Sequence, residues 1–195
     1  MPMDAESIVW NIAVSRNGKW IVSGTYNFKF GLVTVWNAES HEKVTEFKGH
    51  TKCVNAVDVS PDGTKIASGS SDKTVCVWSL SNGQRLFDPL RHDYWVVAAK
   101  FSTDGRLIAT ATWDLNSVRV YDSQNGRLLV DVPIRVINSP CNQSLTWSID
   151  GNNSSPYLAT ATSTVSTRPA GQRFQNSPST AARTPDASPC RATAC

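Results

Sequence analysis

Short apolar runs alternate with turn residues along most of the chain, and residues 53–88 show the pattern most clearly. Apolar runs cover 53–59, 65–68, 74–78 and 84–87, and a Ser-Pro-Asp-Gly turn at 60–63 separates the first two. In such a turn proline presets φ, and glycine supplies the positive φ that closes a tight hairpin. The runs are rich in β-branched residues, and none has the 3.6-residue period of an amphipathic helix. This segment is therefore predicted to form four antiparallel strands, the last of them at 84–87.

The same pattern returns with a period of about 42 residues. Trp36, Trp78 and Tyr121 end equivalent runs at spacings of 42 and 43, and His50 lies 42 residues before His92. The turn pairs Asn17-Gly18, Asp62-Gly63, Asp104-Gly105 and Asp150-Gly151 are spaced by 45, 42 and 46. Because three kinds of landmark share one period, the chain is predicted to consist of repeated supersecondary units.

The repeat divides the chain into five segments. They are a degenerate first unit at 1–46, a second unit at 47–88, a third at 89–132, a partial fourth at 133–166, and a Ser/Thr/Pro/Arg tail at 167–195. The first unit has Asn27 in place of the turn aspartate, and the fourth has neither a turn aspartate after Thr160 nor a strand that ends in Trp. The tail contains almost no large apolar residue, so it is expected to be disordered.

Unit two resembles the WD40 repeat family. The matching residues are Gly49-His50 at its start, Ser60-Pro61-Asp62-Gly63 in its first turn, Ala67-Ser68-Gly69-Ser70 before Asp72, and Val77-Trp78 at its end. The resemblance covers roughly residues 8–165 and is strongest in units two and three. In that family each repeat forms one blade of a β-propeller. The resemblance implies an all-β fold, an incomplete WD40 β-propeller of four-stranded antiparallel blades with a disordered C-terminal tail.

The resemblance also implies a buried polar network in each complete unit. In the WD40 family a histidine, a serine or threonine, an aspartate and a tryptophan form a hydrogen-bonded tetrad. Unit two matches it with His50, Ser68, Asp72 and Trp78, and unit three with His92, Thr110, Asp114 and Tyr121. In unit three a tyrosine replaces the tryptophan, and one extra residue precedes it. A Ser-His-Asp trio is also typical of hydrolases, but its recurrence favours a structural role, because an enzyme needs one such site.

Charge and cysteine spacing limit the chemistry of the chain. Residues 1–167 contain 15 Lys or Arg and 15 Asp or Glu, whereas 168–195 contain four Arg and one Asp. A neutral body lacks the electrostatic footprint of a nucleic-acid-binding protein. The five cysteines have no ligand-like spacing, and no glycine-rich phosphate loop precedes a helix. No cofactor, metal site or disulfide framework is predicted.

The two ends of the chain bear on its location and completeness. The N-terminal residues contain no secretory signal, and no apolar run is long enough to span a membrane. We therefore expect an intracellular protein, cytoplasmic or nuclear and not secreted. Three and a half units are too few to close a seven-bladed ring, so the chain is expected to be a fragment of a longer propeller or to associate with a second copy.

These patterns favour a non-catalytic scaffold that binds other proteins or peptides, because no polar cluster lies outside the repeated positions. The residues expected at the binding surface are Lys52, Tyr94, Trp95 and Trp113, since aromatic side chains are frequent interface hot spots. Packing of these aromatics between blades is the structural alternative. The alternative functions are an enzyme, which needs a separate polar cluster, and a nucleic-acid-associated propeller subunit that uses the basic tail.

Overall fold

A computed structural model describes residues 7–26, 29–114, 117–133, 145–149, 156–160 and 163–166. Asn27 and the tail predicted at 167–195 lie outside the described residues. The described residues form three four-stranded antiparallel sheets and one three-stranded antiparallel sheet, with no helix among them. The expected all-β fold of four-stranded antiparallel blades is therefore confirmed.

Each sheet is a meander in which consecutive strands are hydrogen-bonded neighbours. The first sheet contains β1 (Ile8–Val14), β2 (Trp20–Tyr26), β3 (Gly31–Asn37) and β4 (Lys43–His50). The second contains β5 (Val54–Val59), β6 (Lys65–Ser70), β7 (Thr74–Ser79) and β8 (Leu90–Arg91). The third contains β9 (Val96–Phe101), β10 (Leu107–Thr112), β11 (Ser117–Asp122) and β12 (Leu128–Pro133). The fourth contains β13 (Leu145–Ile149), β14 (Pro156–Thr160) and β15 (Ser163–Ser166).

The same turn closes the first hairpin of each four-stranded sheet. In the second sheet, Asp62 Oδ1 accepts hydrogen bonds from the Ser60 hydroxyl at 2.5 Å and from the Thr64 N–H at 3.0 Å. Gly63 follows with a φ of 70°, which glycine adopts without steric cost. Ser15 with Asn17, and Ser102 with Asp104, repeat this arrangement. The side-chain oxygen of the turn residue therefore fixes each hairpin, as the turn pairs predict.

The last strand of the second sheet lies elsewhere than predicted. The sequence predicts it at 84–87, whereas the structure has a two-residue strand at Leu90–Arg91. Within the predicted segment, one isolated bridge at Arg85 and two backbone hydrogen bonds, which involve Gln84 and Leu86, join the chain to β7. The chain then leaves the sheet edge before Pro89, because proline has no N–H to donate to a ladder. The predicted run at 84–87 therefore pairs with β7 only in part, and the fourth strand itself lies at Leu90–Arg91.

The fourth sheet is more complete than the sequence indicates. β15 pairs with β14 although no turn aspartate precedes it and no tryptophan ends it. In the other sheets a turn residue and a final aromatic residue mark the third strand in the sequence. β15 has neither, and it forms by backbone pairing with β14.

The sheets and the sequence units are offset from each other. β4 ends at His50 and β8 at Arg91, so the first residues of units two and three lie in the preceding sheet. The unit boundaries at 47 and 89 therefore differ from the sheet boundaries. As a consequence, His50 comes from one sheet while Ser68 and Trp78 come from the next.

Adjacent sheets pack through a small residue in the second strand of one sheet and a valine at the start of the next. A Cβ atom on Gly24 would lie 2.8 Å from Val54 Cγ1, and one on Gly69 would lie 2.6 Å from Val96 Cγ1. Val54 and Val96 are fully buried. Ala111 holds the equivalent position in the third sheet and shares a core cluster with Leu145. The apolar core is accordingly divided among the junctions between successive sheets.

Two buried cysteines differ in chemical state. Cys53 is fully buried and disulfide-bonded, whereas Cys76 is a buried free thiol on β7. The scattered spacing of the cysteines did not predict this bond, because spacing along the chain carries little information on proximity in space.

Candidate functional site

The structure brings His50, Ser68, Asp72 and Trp78 together in one hydrogen-bonded network. His50 Nδ1 lies 2.9 Å from Asp72 Oδ2, and His50 Nε2 lies 2.8 Å from Ser68 Oγ. The Trp78 indole N–H donates to the same Ser68 oxygen over 2.8 Å. Because His50 ends β4 and the other three residues belong to the second sheet and its turn, the network joins two neighbouring sheets.

The Asp72 carboxylate also holds the turn between β6 and β7. Its Oδ2 accepts the Thr51 N–H at 3.0 Å, and its Oδ1 accepts the Thr74 N–H at 3.0 Å and the Thr74 hydroxyl at 2.6 Å. Such a short polar side chain beside a turn satisfies backbone donors that the strands leave unpaired. One carboxylate therefore fixes both the turn and the orientation of the His50 ring.

The His50–Asp72 pair is ionised at neutral pH. Burial opposes protonation of the ring, but the Asp72 carboxylate and the nearby Cys76 together raise the pKa of His50 to about 9. Burial likewise opposes the charge on Asp72, but the hydrogen bond and charge of His50 lower its pKa to about 2. The protonated ring then donates from Nδ1 to Asp72 and from Nε2 to Ser68. Ser68 accepts both the ring and indole donors and donates to the Cys76 carbonyl oxygen, 3.4 Å away.

This geometry favours a structural role for the Ser-His-Asp trio. Ser68 is fully buried, and both the His50 ring and the Trp78 indole already contact its hydroxyl. A nucleophilic serine has to reach a substrate carbonyl, whereas this hydroxyl is enclosed by its partners. Loss of any partner would leave a buried polar group unsatisfied, at a cost of about 1–3 kcal/mol.

The corresponding residues of unit three lie in equivalent places but are not linked in the expected way. His92 is buried, and its Nε2 has no hydrogen-bond partner in the part of the chain that the structure describes. Thr110 instead donates to the Arg119 carbonyl oxygen at 3.3 Å. The Tyr121 ring packs edge-on against the His92 ring at 5.9 Å and provides no ring N–H. Asp114 lies in the turn after β10 and accepts a hydrogen bond from the hydroxyl of its neighbour Thr112.

A charged cluster explains why the second network differs. Arg119 lies in the strand register of the third sheet where the second sheet has Cys76. Its guanidinium pairs with Asp131 at 3.0 Å and with Asp93 at 3.1 Å. Burial, reinforced by the positive charge of Arg119, lowers the pKa of His92 to about 4. The His92 ring is therefore neutral at pH 7, whereas the His50 ring is charged.

The first sheet contains the serine–tryptophan hydrogen bond that is also part of the network in the second sheet. The Trp36 indole N–H donates to the Ser23 hydroxyl over 3.1 Å, as Trp78 does to Ser68. Asn27, which stands at the position of the turn aspartate, lies outside the described residues. The Ser23–Trp36 pair was not singled out from the sequence, although its position relative to the first turn matches that of unit two.

The sequence analysis also missed a polar contact between the first strands of the second and third sheets, β5 and β9. Asp58 on β5 accepts the Lys100 ammonium at 2.9 Å and the Phe101 backbone N–H at 2.8 Å, both on β9. The available signal was an acidic residue inside an otherwise apolar strand, which requires a partner when it is partly buried.

The residues predicted to bind partners lie at one end of the sheets, where β5 and β9 begin and β6 and β10 end. We call the residues 51–53, 71–73, 91–95 and 113–114 the upper rim. Tyr94 is 49% exposed and Trp113 is 39% exposed, Lys52 is exposed and Trp95 is half-buried. The Trp113 N–H donates to the Trp95 carbonyl oxygen over 2.8 Å, so these two aromatics are neighbours.

Comparison with known proteins identifies the repeats. Residues 41–79 and 84–122 match the family model described as "WD domain, G-beta repeat". Over 137 residues the chain is 34% identical to small ribosomal subunit protein RACK1y of Oryza sativa subsp. japonica, a match that covers 68% of this chain and 39% of the relative. Over 99 residues it is 36% identical to apoptotic protease-activating factor 1 of Homo sapiens, covering 51% of this chain and 8% of the relative. The chain thus spans well under two thirds of either relative.

Proposed function

From the WD40 repeats that this chain contains at 41–79 and 84–122, we propose that it acts as a non-catalytic scaffold that binds other proteins or peptides through the upper rim. The observation that carries this proposal is the exposure of Tyr94 and Trp113 on loops held by two packed sheets. Exposed aromatic side chains on a rigid support lose little entropy on binding and are common interface hot spots. A fold alone does not assign a function, so the proposal rests on these rim residues.

Trp113 provides the direct test of the rim. We expect Trp113→Ala to lose proteins captured by the wild-type chain, with a melting temperature within about 3 °C, because Trp113 belongs to none of the hydrophobic core clusters of the described residues. The matched control is Leu129→Ala, since Leu129 is also 39% exposed but lies on β12, away from the rim. Quantitative mass spectrometry of the captured proteins compares the three chains. Equal capture by both variants, or a large loss of stability in Trp113→Ala, would contradict the proposal.

The non-catalytic part of the proposal has its own test. The described residues contain no group of three His, Cys, Asp or Glu side chains that could hold a metal. The one Ser-His-Asp arrangement of unit two encloses its serine. A fluorophosphonate probe, which labels activated serines, is therefore expected to leave the folded chain unlabelled. Labelling that disappears in Ser68→Ala would instead favour an enzyme.

A second proposal concerns self-association through the outer face of the first sheet. Ile12 and Val14 on β1 are 61% and 60% exposed. In the second and third sheets, Val57 and Ala99 hold the register position of Ile12 and are 1% and 0% exposed, because the preceding sheet covers them. We assign this face to a second copy of the chain, whose last sheet would cover it so that the two copies complete one propeller.

Light scattering tests this pairing on the purified chain. Ile12→Lys places a charge in the middle of the apolar face and is expected to convert a dimer into a monomer. Val44→Lys is the control, since Val44 is 49% exposed on β4 at the far edge of the same sheet. A wild-type chain that stays monomeric at high concentration would overturn the proposal.

We also propose an intracellular location, in the cytoplasm or the nucleus. The part of the chain that the structure describes has no apolar helix of membrane-spanning length. One similar protein is named as a component of the small ribosomal subunit, which is an intracellular particle. Imaging of a fluorescent fusion tests the location. A secreted product, from the compartments in which a disulfide such as that of Cys53 is common, would contradict the proposal.

A further inference from the structure

Three basic side chains stand at the upper rim of the second sheet without an acidic partner. Lys52, Lys73 and Arg91 are exposed, and none forms an ion pair among the described residues. In the third sheet, by contrast, Lys100 and Arg119 each pair with aspartate. The rim cations are therefore available to a ligand.

Backbone contacts bring the main chain of the three basic residues to the same end of the second sheet. The His92 N–H donates to the Lys73 carbonyl oxygen at 2.9 Å, and the neighbouring Arg91 pairs in register with Thr74. The Ser70 hydroxyl, at the end of β6, donates to the Lys52 carbonyl oxygen at 3.2 Å. The loops that carry the cations thus meet at one end of one sheet.

The acidic residues beside these cations are already engaged. Asp72 pairs with the protonated His50, and Asp93 pairs with Arg119. At the opposite end of the sheets, acidic and basic residues share the same turns, namely Asp62 with Lys65, Asp104 with Arg106, and Asp122 with Arg127, and of these Arg106 forms an ion pair among the described residues, at 4.0 Å. The upper rim of the second sheet therefore keeps a positive excess from Lys52, Lys73 and Arg91, although Asp93 is 78% exposed and shares its guanidinium partner with Asp131.

Lys73 occupies a backbone conformation that its residue type disfavours. Its φ is 70°, in the left-handed region where glycine and asparagine are favoured and other residues cost about 1–2 kcal/mol. Asparagine would adopt this turn conformation at lower cost than lysine. The geometry of the turn therefore does not explain why a lysine, with its exposed ammonium group, occupies this position.

Aromatic surface borders the cations. Tyr94 lies three residues after Arg91, and its ring is half-exposed. Trp95 follows it and accepts the Trp113 N–H through its carbonyl oxygen, so Arg91 and the three aromatic residues belong to one stretch of the rim. A ligand that fits both features carries negative charge beside an apolar side chain.

We infer that the upper rim binds an acidic peptide segment, whose carboxylates pair with Lys52, Lys73 and Arg91 while an adjacent apolar side chain packs on Tyr94 and Trp113. This inference rests on the proposed function of the rim and names the chemistry of its partner. Attraction between opposite charges at an exposed surface weakens with salt, and several such pairs together are needed for useful affinity.

Fluorescence anisotropy of labelled peptides tests the inference with the full chain. The probe is a fluorescein-labelled peptide of eight glutamates with two central phenylalanines, and the reference probe replaces every glutamate by lysine. We expect the acidic probe to bind, with affinity at least tenfold weaker at 0.5 M than at 0.05 M salt. The lysine probe should not bind. A single-stranded oligonucleotide that binds more tightly than the acidic peptide would overturn the inference in favour of nucleic acid.

Two variants connect the binding to the cations. Lys52→Glu with Lys73→Glu should weaken binding of the acidic probe at least tenfold, whereas Arg106→Glu with Arg127→Glu at the opposite end should change it less than twofold. Lys73→Asn keeps the turn conformation and is expected to weaken binding without lowering the melting temperature. No binding by the wild-type chain, or equal losses in both double variants, would overturn the inference.

Failure of this inference is separable from failure of the proposed function. If Trp113→Ala abolishes protein capture while Lys52→Glu with Lys73→Glu leaves it unchanged, the rim binds proteins but the acidic chemistry is wrong. If Trp113→Ala leaves capture unchanged, the rim function itself is wrong.

Discussion

At the scale of single residues, His50 and His92 occupy the same place in the repeat but differ in charge. The pKa of His50 is raised to about 9 beside Asp72, and that of His92 is lowered to about 4 by burial and by Arg119. An unfolded histidine has a pKa near 6.5. Raising the pH therefore lowers the contribution of His50 to the free energy of unfolding and raises that of His92.

We predict that stability is greatest near pH 6.5 and falls on both sides. Because the folded pKa of His50 is raised, its contribution is full below 6.5 and is lost as pH rises towards about 9. Because the folded pKa of His92 is lowered, its contribution is full above 6.5 and is lost as pH falls towards about 4. The melting temperature plotted against pH from 4 to 10 should give a bell-shaped curve. Its acid arm and its alkaline arm should each fall by several degrees.

Two single substitutions should each flatten one arm of this curve of melting temperature against pH. Asp72→Asn keeps an oxygen acceptor for the turn but removes the charge that sustains the His50 imidazolium, so the alkaline arm should flatten and the overall stability should fall. His92→Leu should flatten the acid arm and cost less stability than His50→Leu, since His92 Nε2 has no partner to lose among the described residues. A wild-type melting temperature that rises steadily from pH 5 to pH 9 would refute this account.

At the scale of elements, the junction between two sheets depends on the missing side chain of a glycine. A Cβ at Gly69 would lie 2.6 Å from Val96 Cγ1, closer than carbon atoms approach without displacement. We predict that Gly69→Ala destabilises the chain by about 1–3 kcal/mol, because the second and third sheets must separate slightly. Urea denaturation measures the change.

A double-mutant cycle shows whether the cost comes from this contact. Val96→Ala removes the methyl groups that the new Cβ would strike, so Gly69→Ala should cost much less in that background than in the wild type. Equal costs in both backgrounds would mean that glycine acts through the strand itself. The natural Ala111 at the equivalent position of the third sheet is consistent with an effect that depends on the facing residue.

At the scale of the whole molecule, equivalent apolar positions are buried or exposed according to whether another sheet covers them. If a second copy covers the first sheet, the melting temperature should rise with protein concentration, because association stabilises only the folded state. Ile12→Lys should remove this dependence, and Val44→Lys should keep it. A melting temperature that is independent of concentration in the wild type would contradict self-association.

The sequence by itself determined the repeat, the hairpin turns and the network of unit two. Several of these features depend on residues at fixed short spacings, such as Asp62-Gly63 in a turn or Ser68 and Trp78, ten positions apart on neighbouring strands. Local backbone geometry converts such spacings directly into contacts. The pairing of Ser68 with Trp78 follows from such a spacing, whereas His50 and Asp72, which are 22 residues apart and come from neighbouring sheets, were assigned from the resemblance to WD40 repeats.

Only the tertiary structure decided the state of His92, the place of β8 and the exposure of β1. His92 is neutral because Arg119, 27 residues away in the chain, lies beside it in space. Ile12 is exposed and Val57 is buried although the repeat makes them equivalent, because solvent faces one and another sheet faces the other. The burial of a side chain and its protonation state depend on the residues that neighbouring strands and sheets place beside it. The repeat pattern along the chain does not show which residues those are.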